Sequence, residues 1–282
     1  MSQRLLCFAN SAVTLSYSEG RPAEIVDYLF SRVVTSRDME AHIELSLGED
    51  GTHRLIFKEG GDPSLMTDSI SRMAEWVVSR VGFHLADKSQ GGALFHAASV
   101  HWHGRALVMP GKIGAGKTTL ACWLVAHGFG YLSDEFTFIP SGEDRLSAFP
   151  RPLNIKPSGL RAVEPYLQKD GKCEDILEGK SSSLVPPERF SSQEVLSQAR
   201  PGMILFPNFQ IGSRFRLEQL AASEAGLALM QTILNVRNLS GHGLPETARL
   251  VNHFPVYRLT YAGFGQLEEN NFLDFLKQCL KD

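Results

Sequence analysis

One stretch constrains this chain more than any other: RALVMPGKIGAGKTTLACWLVA, Arg105 to Ala126. RALVMP is apolar enough for a buried strand, a glycine-rich loop follows, and an apolar run of helical character comes next. Gly111, Lys112, Ile113, Gly114, Ala115, Gly116, Lys117, Thr118 and Thr119 have the spacing that cradles a nucleotide phosphate. The glycines permit backbone angles that turn successive N–H groups inward as an anion nest. The helix adds partial positive charge at its N-terminus. Lys117 reaches the outer phosphates, and the Thr118 hydroxyl is placed to ligate magnesium. The bland alternative is a tight strand–helix turn with an exposed lysine. The apolar strand before the loop and the helix after it weigh against that, and make this an α/β chain.

A nucleoside triphosphate carries several negative charges, whereas a helix end supplies about half a positive charge. A divalent ion, Mg2+, is therefore expected, with a carboxylate on a neighbouring strand as second ligand. Asp134 and Glu135 lie one helix and one turn beyond Lys117, in the apolar run Gly130 to Ile139, which reads as one strand. Neighbouring strand residues point to opposite faces unless the backbone turns there. One carboxylate then faces the metal while the other serves elsewhere. A solvated acidic pair is the alternative, weakened by Tyr131, Leu132, Phe136, Phe138 and Ile139 around it.

Elsewhere the chain supplies framework. HIELSLGEDGTHRLIFKEGG reads as a hairpin. Asp62-Pro63 has helix-start chemistry, Asp62 as N-cap, with apolar residues from Ile70 to Val81 at helical spacing and Gly82 closing the run. His103-Gly104 joins two strands, and Gly128 closes the helix after the loop. Residues 141–200 are irregular apart from a helix near Leu160 to Gln168, and Lys180 to Pro187 is the candidate mobile loop. Met203 to Phe206 is a core strand. Ser223 caps a helix to about Asn235, Pro245 starts another to about His253, PVYRLTY is a strand, and Phe272 to Leu280 a terminal helix.

The 282 residues, 43% hydrophobic and 21% charged, suffice for a sizeable core; a formal charge of −3 gives no basic surplus to mark nucleic acid or an anionic membrane as partner. Cys7, Cys122, Cys173 and Cys279 form no C-x-x-C pair, so all four read as reduced thiols of a cytoplasmic protein. No run approaches the roughly 18 apolar residues of a membrane span, and Leu5 to Val13 is too short and interrupted for a signal peptide.

Neither N-K-x-D nor a following D-x-x-G is present, which argues against a GTPase switch. Leu239 to Gly243 (LSGHG) is similar to a transporter-ATPase signature but lies far beyond the acidic pair, and reads as a turn. Shikimate-kinase-like enzymes begin with the phosphate-loop strand, whereas about ninety residues precede it here. HAASVHWHGRALVMPGKIGAGKTTLACWLVAHGFGYLSDEFTFI instead resembles the catalytic segment of the HPr kinase family. In that family a histidine heads a strand, and a hairpin leads into the phosphate loop, a helix and an acidic pair. His96 matches the histidine, Gly111, Gly116, Lys117 and Thr118 the loop, Asp134 the aspartate assigned as general base, and Glu135 a second aspartate. The match covers about 45 residues, with looser similarity in PRP-x-x-x-K and PVYRLTY.

The resemblance implies a phosphate-loop kinase core of the HPr kinase/phosphoenolpyruvate carboxykinase type over 91–282, with a small N-terminal α+β lobe over 1–90. It implies transfer of the ATP γ-phosphate to a serine-type hydroxyl of a protein or peptide, and a homo-oligomer. Asp134 would take the hydroxyl proton, His96 would hydrogen-bond and tune Asp134, and Thr118 and Glu135 would hold Mg2+. Lys117 would stabilise the transferring group. The family's acidic signature after the pair has no counterpart here, so neither reverse phosphorylase activity nor HPr as acceptor follows. Arg151 and Lys156 are candidate phosphate contacts, with a solvated surface role equally open. His101 and His103 share a strand face, but without a third ligand they read as structural; Arg237 is a weaker phosphate candidate. A small-molecule phosphate-loop kinase and a regulatory nucleotide-binding module are the alternatives.

Overall fold

The computed structural model describes residues 1–33, 39–168 and 175–281; Cys173 lies outside them. The N-terminal part is a five-stranded sheet, β1 (Ser2–Phe8), β2 (Ser11–Tyr17), β3 (Glu44–Glu49), β4 (Leu55–Glu59) and β5 (Asp62–Thr67), in that order. α1 (Arg21–Phe30) and α2 (Ile70–Lys88) bury Val26, Leu29, Met73 and Val77 in the same core as Leu45 and Phe57. The expected hairpin is β3–β4, with Leu47 opposite Phe57.

Two expectations fail here. Asp62-Pro63 does not open a helix: Gly60 and Gly61, both at positive φ, turn the chain so that Asp62 pairs with Glu59 in β5. The helix begins at Ile70, where the Ser69 hydroxyl accepts the Arg72 N–H. Gly82 does not end it either. It is buried mid-helix, where a Cβ would lie 2.8 Å from the Phe136 ring. Phe136, Phe138 and Phe149 join the N-terminal core at this contact.

The second sheet holds the site. β6 (Gly92–Trp102) and β7 (Arg105–Pro110) form a hairpin over His103 (φ 48°) and Gly104 (φ 82°), a turn whose twist suits tight antiparallel strands. α3 (Lys117–Ala126) follows the loop, and just past its C-cap His127 the chain turns away at Gly128, φ +93°. The expected strand from Gly130 to Ile139 is two, β8 (Gly130–Ser133) and β9 (Phe136–Pro140), both antiparallel to β6. Ser99 lies opposite Ser133 and His96 opposite Phe136; the pairing of β6 with β8 shifts by one residue between Ser99 and Val100, and the backbone bends at Asp134-Glu135. Ser133 fixes the bend: its buried hydroxyl accepts the Phe136 N–H at 3.2 Å and donates to the Phe149 carbonyl at 3.3 Å.

β10 (Leu146–Ala148) lies beside β9, and β11 (Leu153–Ile155) begins a separate small sheet, followed by α4 (Pro157–Val163). That sheet is completed by β12 (Leu177–Glu178) and β13 (Ser183–Val185). The candidate mobile loop is therefore corrected: Ser183 to Val185 is a buried strand. The helix expected to Gln168 stops as an α-helix at Val163 and passes into a 3-10 turn.

β14 (Gln198–Phe209) runs parallel to β7, followed by β15 (Arg216–Gln219), α5 (Ala222–Met230), α6 (Leu244–His253) and β16 (Val256–Tyr261), which is parallel to β14. α5 ends at Met230, short of the expected Asn235, and starts after Ala221 without a side-chain cap from Ser223. α7 (Phe264–Glu269) and α8 (Phe272–Cys279) close the chain. The sheet order β10-β9-β6-β7-β14-β16-β15 puts the C-terminal ends of three parallel strands beside the loop before α3, where open α/β sheets gather ligands. Among the described residues no helix is long and apolar enough to cross a membrane. The architecture is mixed α/β with several sheets.

Candidate functional site

β7 delivers the chain at Pro110 into a loop built on two left-handed glycines, Gly114 (φ +88°) and Gly116 (φ +94°). The Phe209 N–H at the end of β14 donates to the Ala115 carbonyl at 3.1 Å, anchoring the loop to the sheet. The first amides of α3 have no partner within the helix, so they remain available to an anion. Lys117 is folded back across the loop, donating to the carbonyls of Gly111 at 2.7 Å and Lys112 at 3.1 Å. Burial lowers its pKa, against the pull of Asp134 and Glu135.

The bend in the β8–β9 line turns both acidic side chains into one cavity of about 550 Å³ with Lys117, Thr118, His96 and Arg151. Asp134 is buried. Its Oδ2 accepts the Asn154 N–H at 2.9 Å, the Thr118 hydroxyl faces its carboxylate, and its Oδ1 has no hydrogen-bond partner among the described residues. Burial raises its pKa, although Arg151, Thr118 and the Asn154 N–H oppose the rise. Glu135 has the opposite character: the Arg151 guanidinium holds its pKa down despite burial, and its side chain is 43% exposed through the cavity.

Arg151 is not the solvated surface cation that the sequence left open. Its side chain is 3% exposed, bonds Glu135 and donates to the Pro152 carbonyl at 3.1 Å. Lys156, exposed at the start of α4, lines the same cavity. His96 is there too, but the expected bond to Asp134 is not made; Lys117, Glu135 and Arg151 are the charges that reach it, and burial leads in lowering its pKa. His101 is wedged against Gly130, and among the described residues no group of three or more His, Cys, Asp or Glu is arranged to hold a metal alone. Arg237 sits in a 3-10 turn and does not line the cavity.

Several lining residues went unread in the sequence. Asn154 contributes a backbone N–H, which no side-chain motif reveals. Phe209 and Tyr261 stand at the ends of β14 and β16, a position that marks ligand contacts in parallel sheets. Ile113 and Ile211, 79% and 86% exposed, form an apolar lip. The Mg2+ expectation meets a donor set that fits: an unpartnered buried carboxylate oxygen beside a threonine hydroxyl suits a hard cation that takes oxygen ligands and keeps waters.

No family model matches the chain, and no curated protein matches it. Among solved structures it is similar to the Hpr(Ser) kinase/phosphatase from Coxiella burnetii, at 12% identity, covering 64% of this chain and 92% of that one with a TM-score of 0.28.

Proposed function

We propose that the protein is an ATP-dependent kinase that transfers the γ-phosphate to a serine-type hydroxyl of a protein or peptide. The observation that carries the reading is the convergence of the phosphate loop, Lys117, Thr118 and two unlike carboxylates on one cavity. In the reaction the serine oxygen bonds the γ-phosphorus as the bond to the β–γ bridging oxygen breaks. ADP leaves with that electron pair, and the hydroxyl proton passes to a carboxylate. Catalysis of this kind is mostly positioning and charge stabilisation, which Lys117, the loop amides and Arg151 would supply. Mg2+, when bound, neutralises phosphate charge. The exposed lip of Ile113 and Ile211 favours a macromolecular acceptor over a small polar metabolite.

The carboxylates divide the work by position. Thr118 beside Asp134 supports these two as the Mg2+ ligands, leaving Glu135, open to the cavity and next to His96, to orient the hydroxyl. The raised proton affinity of Asp134 favours a second reading, in which Asp134 is the base and Glu135 the metal ligand.

Incubation with γ-labelled ATP and serine-containing peptides is expected to give labelled phosphoserine. Label released only as inorganic phosphate, or bound ATP without transfer, would favour the regulatory module instead. On the first division, Asp134→Asn raises the Mg2+ concentration needed for ATP binding, while Glu135→Gln leaves binding intact and cuts transfer by about a hundred- to ten-thousand-fold. The reverse pattern selects the second.

A further inference from the structure

We infer that the end of the cavity remote from the acidic pair is a nucleoside chamber, with the Tyr261 hydroxyl as a buried hydrogen-bond donor to the ligand. The inference rests on the nucleotide reading above. Lys117, Asp134 and Glu135 mark the outer-phosphate end. Loop amides hold the inner phosphates, so the rest of a nucleotide must extend away from the carboxylates, past Thr119. The cavity continues in that direction. Its walls there are Gly159 and Ala162 of α4 on one side and Phe264 at the start of α7 on the other.

These walls are firm. α4 rests directly on the first turn of α3, since a Cβ on Gly159 would lie 2.8 Å from the Thr119 hydroxyl. The Phe264 ring is stacked on Trp123 of α3 at 5.5 Å and meets Tyr166 edge-on at 5.8 Å. An apolar, aromatic-sided cleft continuing from a phosphate cradle suits a flat base and a sugar. The total volume of about 550 Å³ falls in the range of sites that enclose a whole small ligand.

Tyr261 adds the second observation. It is 1% exposed, lines the cavity, and its hydroxyl lies 2.9 Å from where a Cβ on Gly116 would sit, at the junction of loop and chamber. That hydroxyl has no hydrogen-bond partner among the described residues. Buried hydroxyls are nearly always paired, so an unmet donor bordering a ligand cavity is left for the ligand. Burial also drives its ionisation well upward, keeping the proton in place for donation.

Calorimetric binding of ATP and of inorganic tripolyphosphate to the full chain, with magnesium present, tests this without requiring turnover. The wild type is expected to bind ATP at least about tenfold more tightly than tripolyphosphate, the margin of a modest buried apolar contact. Ala162→Trp, at an exposed helix position, fills the chamber; it should erase that margin and leave tripolyphosphate binding within about twofold. Tyr261→Phe should weaken ATP about fivefold, the worth of one ordinary hydrogen bond. Its unfolding midpoint without ligand should not fall, which separates a ligand role from a structural one. ATP binding no tighter than tripolyphosphate, or indifferent to Ala162→Trp, overturns the chamber. Unchanged ATP affinity in Tyr261→Phe overturns the hydroxyl's role. If the wild type binds neither ligand, the nucleotide reading fails first and this inference with it.

Discussion

Replacing Gly116 by alanine tests how tightly the glycine-rich loop before α3 is fitted to the sheet. Two costs apply. At φ +94° an L-residue is strained by about 1–2 kcal/mol. The new Cβ would also lie 2.9 Å from the Tyr261 hydroxyl oxygen and 3.0 Å from the Phe209 Cβ, inside ordinary contact distance. The loop cannot simply retreat, because the Phe209 N–H holds the Ala115 carbonyl at 3.1 Å. Overpacking of this kind costs about 1–3 kcal/mol. Gly114 supplies the control: its φ is +88°, but among the described residues nothing lies within 4 Å of its Cβ position, so Gly114→Ala bears the strain alone. Urea unfolding at constant m-value should therefore rank Gly116→Ala below Gly114→Ala by about 1–3 kcal/mol. Adding Tyr261→Phe to Gly116→Ala removes the oxygen contact and should restore part of the loss, leaving the Phe209 share. Equal destabilisation by the two glycine variants, or no recovery in the double variant, would refute the packing argument.

Two further tests address the N-terminal sheet. Burial works against the Glu59 carboxylate, but bonds from Arg80 at 2.7 and 2.8 Å, His84 at 2.8 Å and Ser64 outweigh it and hold its pKa at about 2, against 4.5 ordinarily. A depressed carboxyl pKa stabilises the fold fully above the unfolded value and loses that contribution as pH falls from about 4.5 to about 2. Glu59→Gln should cost roughly 2–3 kcal/mol at pH 7 and flatten stability across that acid window; an unchanged acid-unfolding curve would count against the cluster. Gly82→Ala inverts the usual rule. In a helix interior the change ordinarily stabilises by about 0.5–1 kcal/mol, but here the Cβ meets the Phe136 ring at 2.8 and 3.0 Å. Overpacking of about 1–3 kcal/mol should win, so chemical denaturation should show a net loss, and a gain would mean that α2 stands off from Phe136.

What was legible in the sequence divides along a physical line. The glycine-rich loop between β7 and α3, the turn at His103-Gly104 and the Gly128 helix end depend on residues adjacent in the chain, and each has the backbone geometry that local chemistry gives it. The strands β7 and β14 follow from apolar runs that need a core, and β16 from the alternation in PVYRLTY. Asp62-Pro63 misled because two local signals competed: the Gly60-Gly61 pair forms a two-residue hairpin, and pairing with β4 outweighed the helix-start chemistry. Gly82 and Ser183 to Val185 could not be read locally, since a phenylalanine ring and two partner strands distant in sequence decide them. The acidic pair is the instructive case. Alternation along a strand separates neighbouring carboxylates onto opposite faces, and a continuous strand from Gly130 to Ile139 would have kept Asp134 and Glu135 apart. Ser133, by taking the Phe136 N–H, opens the strand at those two residues, next to the one-residue shift in its pairing with β6 between Ser99 and Val100. A single hydroxyl thus brings two carboxylates of opposite electrostatic character to the cavity that the glycine-rich loop lines.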